Sequence, residues 1–255
     1  MKHKWWKNFF EKKFAVLFLK RNKLELKETI NFLIKKLRLK RGDMVFDQCS
    51  GTGDISLGLA AKGMETIGIE QSKKYMDAAA KEVSRQKLSS KFYTGDAYKF
   101  ICKPKCDAAI NWYTSFGYNK NDNANIQMIN RVYDSLRDRG YFALDYHNAP
   151  FIFKNFKSKR VQKTTLAGKT VLVTKTSKID LPNGMLISIW QYKYHGYQSR
   201  KLYGQTRLYQ PIDLKTILLK SGFVNIKFYG DLRGGRLTTD SKRCIVVAQK
   251  PTTEQ

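Results

Sequence analysis

The chain has 255 residues, of which 42% are hydrophobic and 13% aromatic. This composition can form a full hydrophobic core and excludes an intrinsically disordered chain. The formal net charge of +27 arises from 48 Lys and Arg residues against 21 Asp and Glu residues. Because the basic residues run from Lys2 to Lys250, the charge indicates either a general surface bias or an anionic partner.

Hydrophobic periodicity predicts helices that alternate with strands from residue 26 onward. Helices are predicted at about 26–37, 53–62, 72–86, 123–138 and 212–221. Strands are predicted near 44–49, 65–70, 91–95, 107–112, 140–146, 224–230 and 244–249. This alternation indicates a largely parallel sheet with right-handed crossovers.

The pattern changes between residues 151 and 209, where Thr, Val and Tyr alternate along the chain. Such alternation is typical of antiparallel strands. Asn183-Gly184, which lies between two of these runs, is a strong hairpin signal. The sequence therefore predicts an inserted antiparallel sheet.

Polar residues stand where the predicted strands end. The first strand ends at Asp47 and continues through residues 49–53, a tight turn with Gly51 and Gly53 where the backbone approaches a ligand. Later strands end at three further sites: Glu70-Gln71, Asp96-Ala97 and Asn111. Ligands of open α/β sheets bind at the carboxyl ends of the strands, so these residues should face one crevice.

In this order the motifs resemble the class I S-adenosylmethionine-dependent methyltransferases, most closely those that act on small molecules. Ser115-Phe-Gly-Tyr118, Arg207-Leu-Tyr209 and Asp240-Ser-Lys-Arg243 extend the resemblance. One departure is Cys49, which replaces the first glycine of the family's turn. The resemblance implies an α/β fold: a Rossmann-like seven-stranded methyltransferase sheet, its last strand antiparallel, with an inserted antiparallel β lid.

The resemblance also implies a division of the chain. Residues 1–150 would hold the N-terminal lid helices and the cofactor-binding half, 151–210 the lid over the substrate, and 211–255 the rest of the sheet. The implied cofactor is S-adenosyl-L-methionine, with S-adenosyl-L-homocysteine as product. The residues implied to bind it are Asp47, Ser50, Gly51, Gly53, Glu70, Gln71, Asp96, Ala97 and Asn111.

Methyl transfer from a sulfonium depends mainly on alignment, and a base is needed only for a nucleophile that arrives protonated. His147, just past the fifth strand, is the candidate base, with an ordinary loop histidine as the alternative. Tyr113 and Tyr118 follow the fourth strand and are candidates for orienting an amine or hydroxyl. The four cysteines form no Cys-x-x-Cys pair, so no metal site is expected.

The N-terminal 22 residues combine lysines with aromatic side chains. The apolar run at 14–19 is too short to span a bilayer, which needs ~20 residues. The resemblance implies a lid that encloses the substrate and excludes water. A basic amphipathic helix lying on an anionic membrane is the alternative.

The function expected from these features is methyl transfer to an N or O nucleophile of a small-molecule or carrier-protein-bound substrate, in the cytoplasm. Two alternatives stay open: an RNA methyltransferase, which the positive charge would favour, and a non-catalytic methyltransferase-fold binding subunit. A nicotinamide oxidoreductase is disfavoured because Ser56 stands where the third glycine of its motif is required.

Overall fold

The computed structural model describes residues 5–10, 17, 22–166, 168–194 and 196–252. Its main sheet contains β1 (Met44–Gln48), β2 (Glu65–Glu70), β3 (Ser90–Thr94), β4 (Cys106–Asn111), β5 (Leu136–His147), β11 (Val224–Tyr229) and β12 (Arg243–Gln249). A second sheet contains β6 (Lys159–Leu166), β7 (Lys169–Asp180), β8 (Met185–Tyr194), β9 (Tyr197–Gln198) and β10 (Leu202–Arg207). The helices are α1 (Trp6–Phe9), α2 (Lys23–Lys36), α3 (Asp54–Ala60), α4 (Lys73–Gln86), α5 (Asp122–Ser135), α6 (Ala149–Lys154) and α7 (Pro211–Lys220).

The main sheet has the strand order β11-β12-β5-β4-β1-β2-β3. Strands β1 to β5 are parallel, whereas β12 runs antiparallel to both of its neighbours, β5 and β11. This confirms the predicted seven-stranded α/β sheet with an antiparallel last strand. The sequence was informative because β1 and β4 are buried along nearly their whole length and therefore appear as continuous apolar runs.

The largest difference from the predicted boundaries lies between α5 and β5. β5 starts at Leu136, earlier than the predicted residue 140, and the preceding helix ends at Ser135. The register of β4 with β5 moves from Cys106↔Leu136 to Ala108↔Tyr141, so polar residues 137–139 form a bulge. These charged residues carry no strand pattern, which is why periodicity alone placed the helix end and the strand start too late.

The second sheet is antiparallel, with the order β10-β8-β7-β6 and β9 paired to β8. β7 and β8 meet at the predicted hairpin, where Asn183 Nδ2 donates to the Asp180 carboxylate at 3.0 Å. The separate antiparallel sheet is therefore confirmed. The division of the chain at residues 150 and 210 stays a prediction.

Two apolar clusters cover the two faces of the main sheet. One cluster includes Met128 of α5 and Leu214 of α7, and the other includes Leu33 of α2 and Leu59 of α3. A separate cluster forms on the second sheet around Phe9 of α1. The short N-terminal helix therefore packs on the second sheet, and the neighbouring Trp6 and Phe10 reach the carboxyl ends of the main strands.

Candidate active site

A cavity of about 530 Å³ opens at the carboxyl ends of β1, β2, β3 and β4. This volume is typical of a small-molecule site. The described residues that line it are Trp6, Phe10, Asp47, Cys49, Ser50, Gly51, Thr52, Asp54, Ile55, Ile69, Glu70, Gln71, Ser72, Tyr75, Thr94, Gly95, Asp96, Ala97, Tyr98, Trp112, Tyr113, Ser115, Tyr118 and Met128. The crevice predicted from the strand-end motifs is thus a single, partly open cavity.

The turn after β1 forms one wall of the cavity. Cys49, Gly51 and Gly53 all have left-handed φ angles, of 69°, 57° and 82°. A Cβ added at Gly51 would meet no atom within 4 Å, so the Gly51 backbone is open to a ligand. A Cβ added at Gly53 would lie 2.9 Å from Phe92 Cζ. Gly53 therefore permits close packing behind the cavity and is not one of its lining residues.

Asp47 is 3% exposed at the end of β1. Ser56 of α3 donates its hydroxyl proton to Asp47 Oδ2 at 2.6 Å. The pKa of Asp47 is raised to about 7, mainly by burial; the Ser56 hydrogen bond offsets part of the rise, and the nearby Glu70 and Asp54 contribute to it. A positive ligand charge in this cavity would favour the ionised carboxylate.

Glu70 is the last residue of β2 and accepts the Ser72 N–H at 3.1 Å. Burial raises the pKa of Glu70, and hydrogen bonds from the backbone of Ser72, Gln71 and Gly51 partly offset that effect. Gln71 also lines the cavity and donates from Nε2 to the Trp6 carbonyl at 3.2 Å. The end of β2 therefore contacts both the glycine turn and the N-terminal segment.

Asp96 and Ala97 follow β3 and both line the cavity. Asp96 Oδ1 accepts the Tyr98 N–H at 3.0 Å, which fixes the turn locally. The Ala97 carbonyl accepts a hydrogen bond from Gln48 Nε2 at 3.2 Å. The predicted residues of the first three strand ends, apart from Gly53, are thus brought together.

Every charged side chain among the described lining residues is acidic: Asp47, Asp54, Glu70 and Asp96. The contrast with the net charge of +27 is large. Carboxylates in a partly enclosed space attract a cation strongly, because the local dielectric constant is low. The lining, together with the open backbone at Gly51, fits a ligand that bears a sulfonium, an amino group and ribose hydroxyls.

Asn111 is placed outside this lining. Its side chain is fully buried, and Nδ2 donates to Gln48 Oε1 at 3.0 Å. Gln48 in turn donates to the carbonyls of Ala97 and Met128. The polar side chain that was predicted to meet the methionine end of the cofactor lies in a hydrogen-bond network that joins β1, β4, α5 and the turn after β3.

His147 is also not among the lining residues. It ends β5, and its ring lies 5.9 Å from the Tyr146 ring. Burial, with a smaller contribution from the nearby Lys175 of β7, lowers the pKa of His147 to about 4. The structure places this histidine as a neutral side chain at the junction with the second sheet and does not bring it to the cavity.

Tyr113 and Tyr118 do line the cavity, as does Ser115 between them. Burial is the main reason that the pKa of Tyr118 lies above its ordinary value, and the acidic groups nearby add to the effect. The Tyr118 phenol is therefore neutral and can both donate and accept a hydrogen bond.

Aromatic side chains close the opposite wall. Trp6 stacks on Tyr98 with ring centroids 5.9 Å apart, and Phe10 stacks on Tyr118 at 6.3 Å. Trp5 donates from Nε1 to the Tyr118 carbonyl at 3.3 Å. Residues 5–10 occupy the place that the lid hypothesis requires, and the rest of the predicted lid, residues 1–4, 11–16 and 18–21, lies outside the described residues.

Tyr98 was not predicted as a site residue. Its hydroxyl is buried and has no hydrogen-bond partner among the described residues. Its position two residues after Asp96 is the signal that could have identified it, because the turn after β3 carries both residues into the cavity. An unsatisfied buried hydroxyl beside an open cavity is available to a ligand.

Within the part of the chain that the structure describes, no group of three or more His, Cys, Asp or Glu side chains could hold a metal ion. In that same part, no helix combines the length and the apolar character needed to cross a membrane.

Cys102 and Cys106 are buried side by side, and Cys106 Sγ donates to the Ser135 carbonyl at 3.2 Å.

The strand order, the glycine turn after β1 and the acidic cavity define the class of protein. A family model described as a methyltransferase domain matches residues 45–140, from β1 into β5. Residues 45–140 therefore form a methyltransferase domain, and the fold around them is that of the class I S-adenosylmethionine-dependent methyltransferases. The predicted enzyme class and cofactor are confirmed at this level.

Comparison with curated proteins finds a similar chain in the demethylmenaquinone methyltransferase of Lactobacillus johnsonii. The two are 26% identical over 198 residues, which cover 75% of this chain and 72% of the relative. The aligned stretch is about twice as long as the 96 residues that the family model matches.

Two solved structures share the fold. An S-adenosylmethionine-dependent methyltransferase from Clostridium acetobutylicum is 15% identical, with a TM-score of 0.78 over 96% of this chain and 99% of that one. The sugar N-methyltransferase KedS8 from Streptoalloteichus is 14% identical, with a TM-score of 0.70 over 92% and 90%. At these identities the similarity shows the fold alone, and it includes the second sheet.

Proposed function

We propose that the protein transfers a methyl group to a nitrogen or oxygen nucleophile of a small molecule, free or bound to a carrier. The observation that carries this proposal is the cavity itself: acidic at the strand ends, and closed on the other side by aromatic side chains. The acidic side suits a cationic methyl donor, and the aromatic side suits a small acceptor. Both sides open into one space of about 530 Å³, so donor and acceptor could meet there.

The cofactor side comprises the lining residues Asp47, Ser50, Gly51, Glu70, Gln71, Asp96 and Ala97. S-adenosylmethionine, when bound, supplies an electrophilic methyl group on a sulfonium. In this proposal Glu70 accepts hydrogen bonds from the ribose hydroxyls, and Asp96 and Ala97 contact the adenine. Gly53 and Asn111 support this side from behind, through Phe92 and Gln48 respectively.

The acceptor side consists of Tyr98, Tyr113, Ser115 and Tyr118, with Trp6 and Phe10 above them. Neutral phenols orient an amine or a hydroxyl by hydrogen bonding, and the aromatic rings exclude water. His147 is not among the lining residues, so it has no part in the proposal as a base. A nucleophile that arrives as a neutral amine needs none.

The relatives support a small acceptor. Demethylmenaquinone is the substrate named for one of them and a sugar nitrogen for another. RNA is a weaker candidate, because the described lining offers no cation to a phosphate and four carboxylates that repel it. A non-catalytic binding subunit would have no physical need for an aromatic wall next to the cofactor side.

The test has two arms. Calorimetry should show binding of S-adenosylhomocysteine and no binding of NAD. Incubation with S-adenosylmethionine labelled in the methyl group should then move label to a nitrogen or oxygen of amino sugars or phenols, offered free or bound to a carrier protein, but not into RNA. Label found only in a discrete RNA species would overturn the proposal in favour of the RNA enzyme.

A further inference from the structure

The turn that follows β4 has an unusual backbone. Tyr113 and Thr114 both have left-handed φ angles, of 56° and 58°. An aromatic and a β-branched residue rarely adopt this conformation, which persists only where the surroundings impose it. The turn leads directly to Ser115 and Tyr118, so its shape sets the acceptor side of the cavity.

One residue of β5 holds this turn. Tyr113 donates its N–H to Asp145 Oδ2 at 3.0 Å, and Thr114 donates its N–H to the Asp145 carbonyl at 3.1 Å. Asp145 is 4% exposed and lies on the strand adjacent to β4. Its carboxylate and carbonyl together fix both strained residues.

The Asp145 carboxylate is itself held by Arg243, the first residue of β12. Arg243 donates from Nε to Oδ1 at 2.9 Å and from Nη2 to Oδ2 at 2.7 Å. Its guanidinium also lies 5.7 Å from the ring centroids of Trp112 and Tyr113, and Nη1 donates to Glu25 of α2 at 3.3 Å. A two-bond Arg–carboxylate pair fixes direction as well as distance.

Asp145 is buried and Arg243 is partly buried, and an ion pair that loses much of its hydration is seldom more stabilising than apolar packing of the same volume. Stability alone therefore does not account for a charged pair at this place. The pair does determine where the Asp145 oxygen that accepts the Tyr113 N–H lies. Neither Asp145 nor Arg243 lines the cavity, and the cofactor side makes no hydrogen bond to either of them among the described residues.

We infer that Arg243 is a positioning residue for the acceptor. Through Asp145 it fixes the turn at Tyr113 and Thr114, and hence the wall formed by Tyr113, Ser115 and Tyr118. The effect of Arg243 on the rate of methyl transfer rests on the proposed function. Its effect on the backbone conformation of the turn at residues 113–114 does not. The two parts are therefore tested separately.

The backbone part is tested by hydrogen exchange on the full chain with S-adenosylhomocysteine present. Arg243→Met should speed exchange at least tenfold at the Tyr113 and Thr114 amides and leave residues 50–54 unchanged. Arg137→Met is the matched control, because Arg137 pairs with Asp107, which accepts the Met44 N–H at the opposite end of β4. Exchange at 112–118 that is unchanged in Arg243→Met, or equally fast in the control, would overturn the inference.

The kinetic part uses the acceptor that the wild type methylates best. Arg243→Met should lower kcat at least tenfold, with the dissociation constant of S-adenosylhomocysteine changed less than twofold, and Arg243→Lys should recover part of the loss. If Arg243 acts through Asp145, the double variant Asp145→Asn/Arg243→Met should be no slower than the worse single variant. Additive losses, or equal losses in cofactor affinity and kcat, contradict the inference.

The outcomes are distinguishable. If the wild type methylates no acceptor, the proposed function fails, and the exchange experiment still decides whether Arg243 fixes the turn. If Arg243→Met does not fold, Arg243→Lys keeps the charge without the two-bond geometry and carries both measurements.

Discussion

The two sides of the cavity are built in different ways. On the cofactor side, each lining group comes from a strand and the few residues after it, as with Asp47 to Gly51 or Glu70 to Ser72. The acceptor side is assembled from distant parts of the chain. Trp5 bonds to the Tyr118 carbonyl across 113 residues, and the Phe10 ring stacks on the Tyr118 ring.

This difference teaches where specificity can vary. The cofactor side depends on local backbone geometry, such as the left-handed turn at 49–53, so its residues are constrained by their own neighbours. The acceptor side depends on contacts between separate elements, which can change without disturbing the sheet. Substitutions on the acceptor side should therefore impair methyl transfer while cofactor binding persists. Substitutions on the cofactor side should weaken cofactor binding.

The largest effect is expected from the double variant Trp6→Ala/Phe10→Ala, which opens the aromatic wall. We expect kcat/KM for the acceptor to fall about 100-fold, equivalent to roughly 2.7 kcal/mol, because water enters and the acceptor loses its packing surface. Steady-state kinetics would measure this, with Tyr197→Ala on the second sheet as an exposed aromatic control. A melting temperature that falls in step with activity would contradict the separation of the two sides.

A smaller effect is expected from Glu70→Gln on the cofactor side. Loss of a charged acceptor should weaken S-adenosylmethionine binding by about 1–3 kcal/mol, measured by calorimetry. Glu65→Gln is the matched control, because Glu65 is the exposed first residue of the same strand. Equal losses in both variants would mean that Glu70 acts only on the stability of β2.

The third effect concerns pH and accumulates over about three pH units. The pKa of Asp47 rises from 3.8 to about 7 on folding, so the folded protein binds the extra proton between those values. The free energy of unfolding of the ligand-free protein should therefore fall as pH rises from about 4 to 7, by at most ~1.4 kcal/mol per pH unit, and then level off. Denaturant titrations of wild type and Asp47→Asn would measure the difference in slope.

The ligand-free folded protein favours protonated Asp47 below about pH 7. A cationic ligand should reverse this preference, because its charge stabilises the ionised carboxylate. Binding of S-adenosylmethionine at pH 6 should release protons, and at pH 8.5 it should release almost none. Calorimetry in two buffers of different ionisation enthalpy measures the release. A buffer dependence that persists unchanged in Asp47→Asn would assign the proton to another group.

Much of the cofactor side could be predicted from the sequence. An apolar run that ends on Asp47, Glu70 or Asp96 shows that the acidic residue lies within a few residues of the end of a strand. Asn111 shows the limit of this reasoning. Its position at a strand end was predicted correctly, but only the packing with Gln48 determines that the amide faces the interior.

The surroundings of His147 could not be predicted either, because they come from elements that are more distant in the sequence. The sequence placed it past the fifth strand, and only the position of the second sheet shows that Lys175 and burial, not the cavity, surround it. The partners of Asp145 were equally hidden, since Arg243 follows it by 98 residues. Side chains whose surroundings come from other elements could not be located by pattern.

The short helix α1 has a kinetic consequence. Phe9 packs against Val171, Val173 and Leu202 of the second sheet, while Trp6 and Phe10, its near neighbours in the chain, close the cavity. A small molecule that passes this wall must loosen an apolar contact that it never touches. Entry and escape are then slowed by the same barrier, so the anchoring of Phe9 would lengthen the residence time of a ligand without changing its affinity.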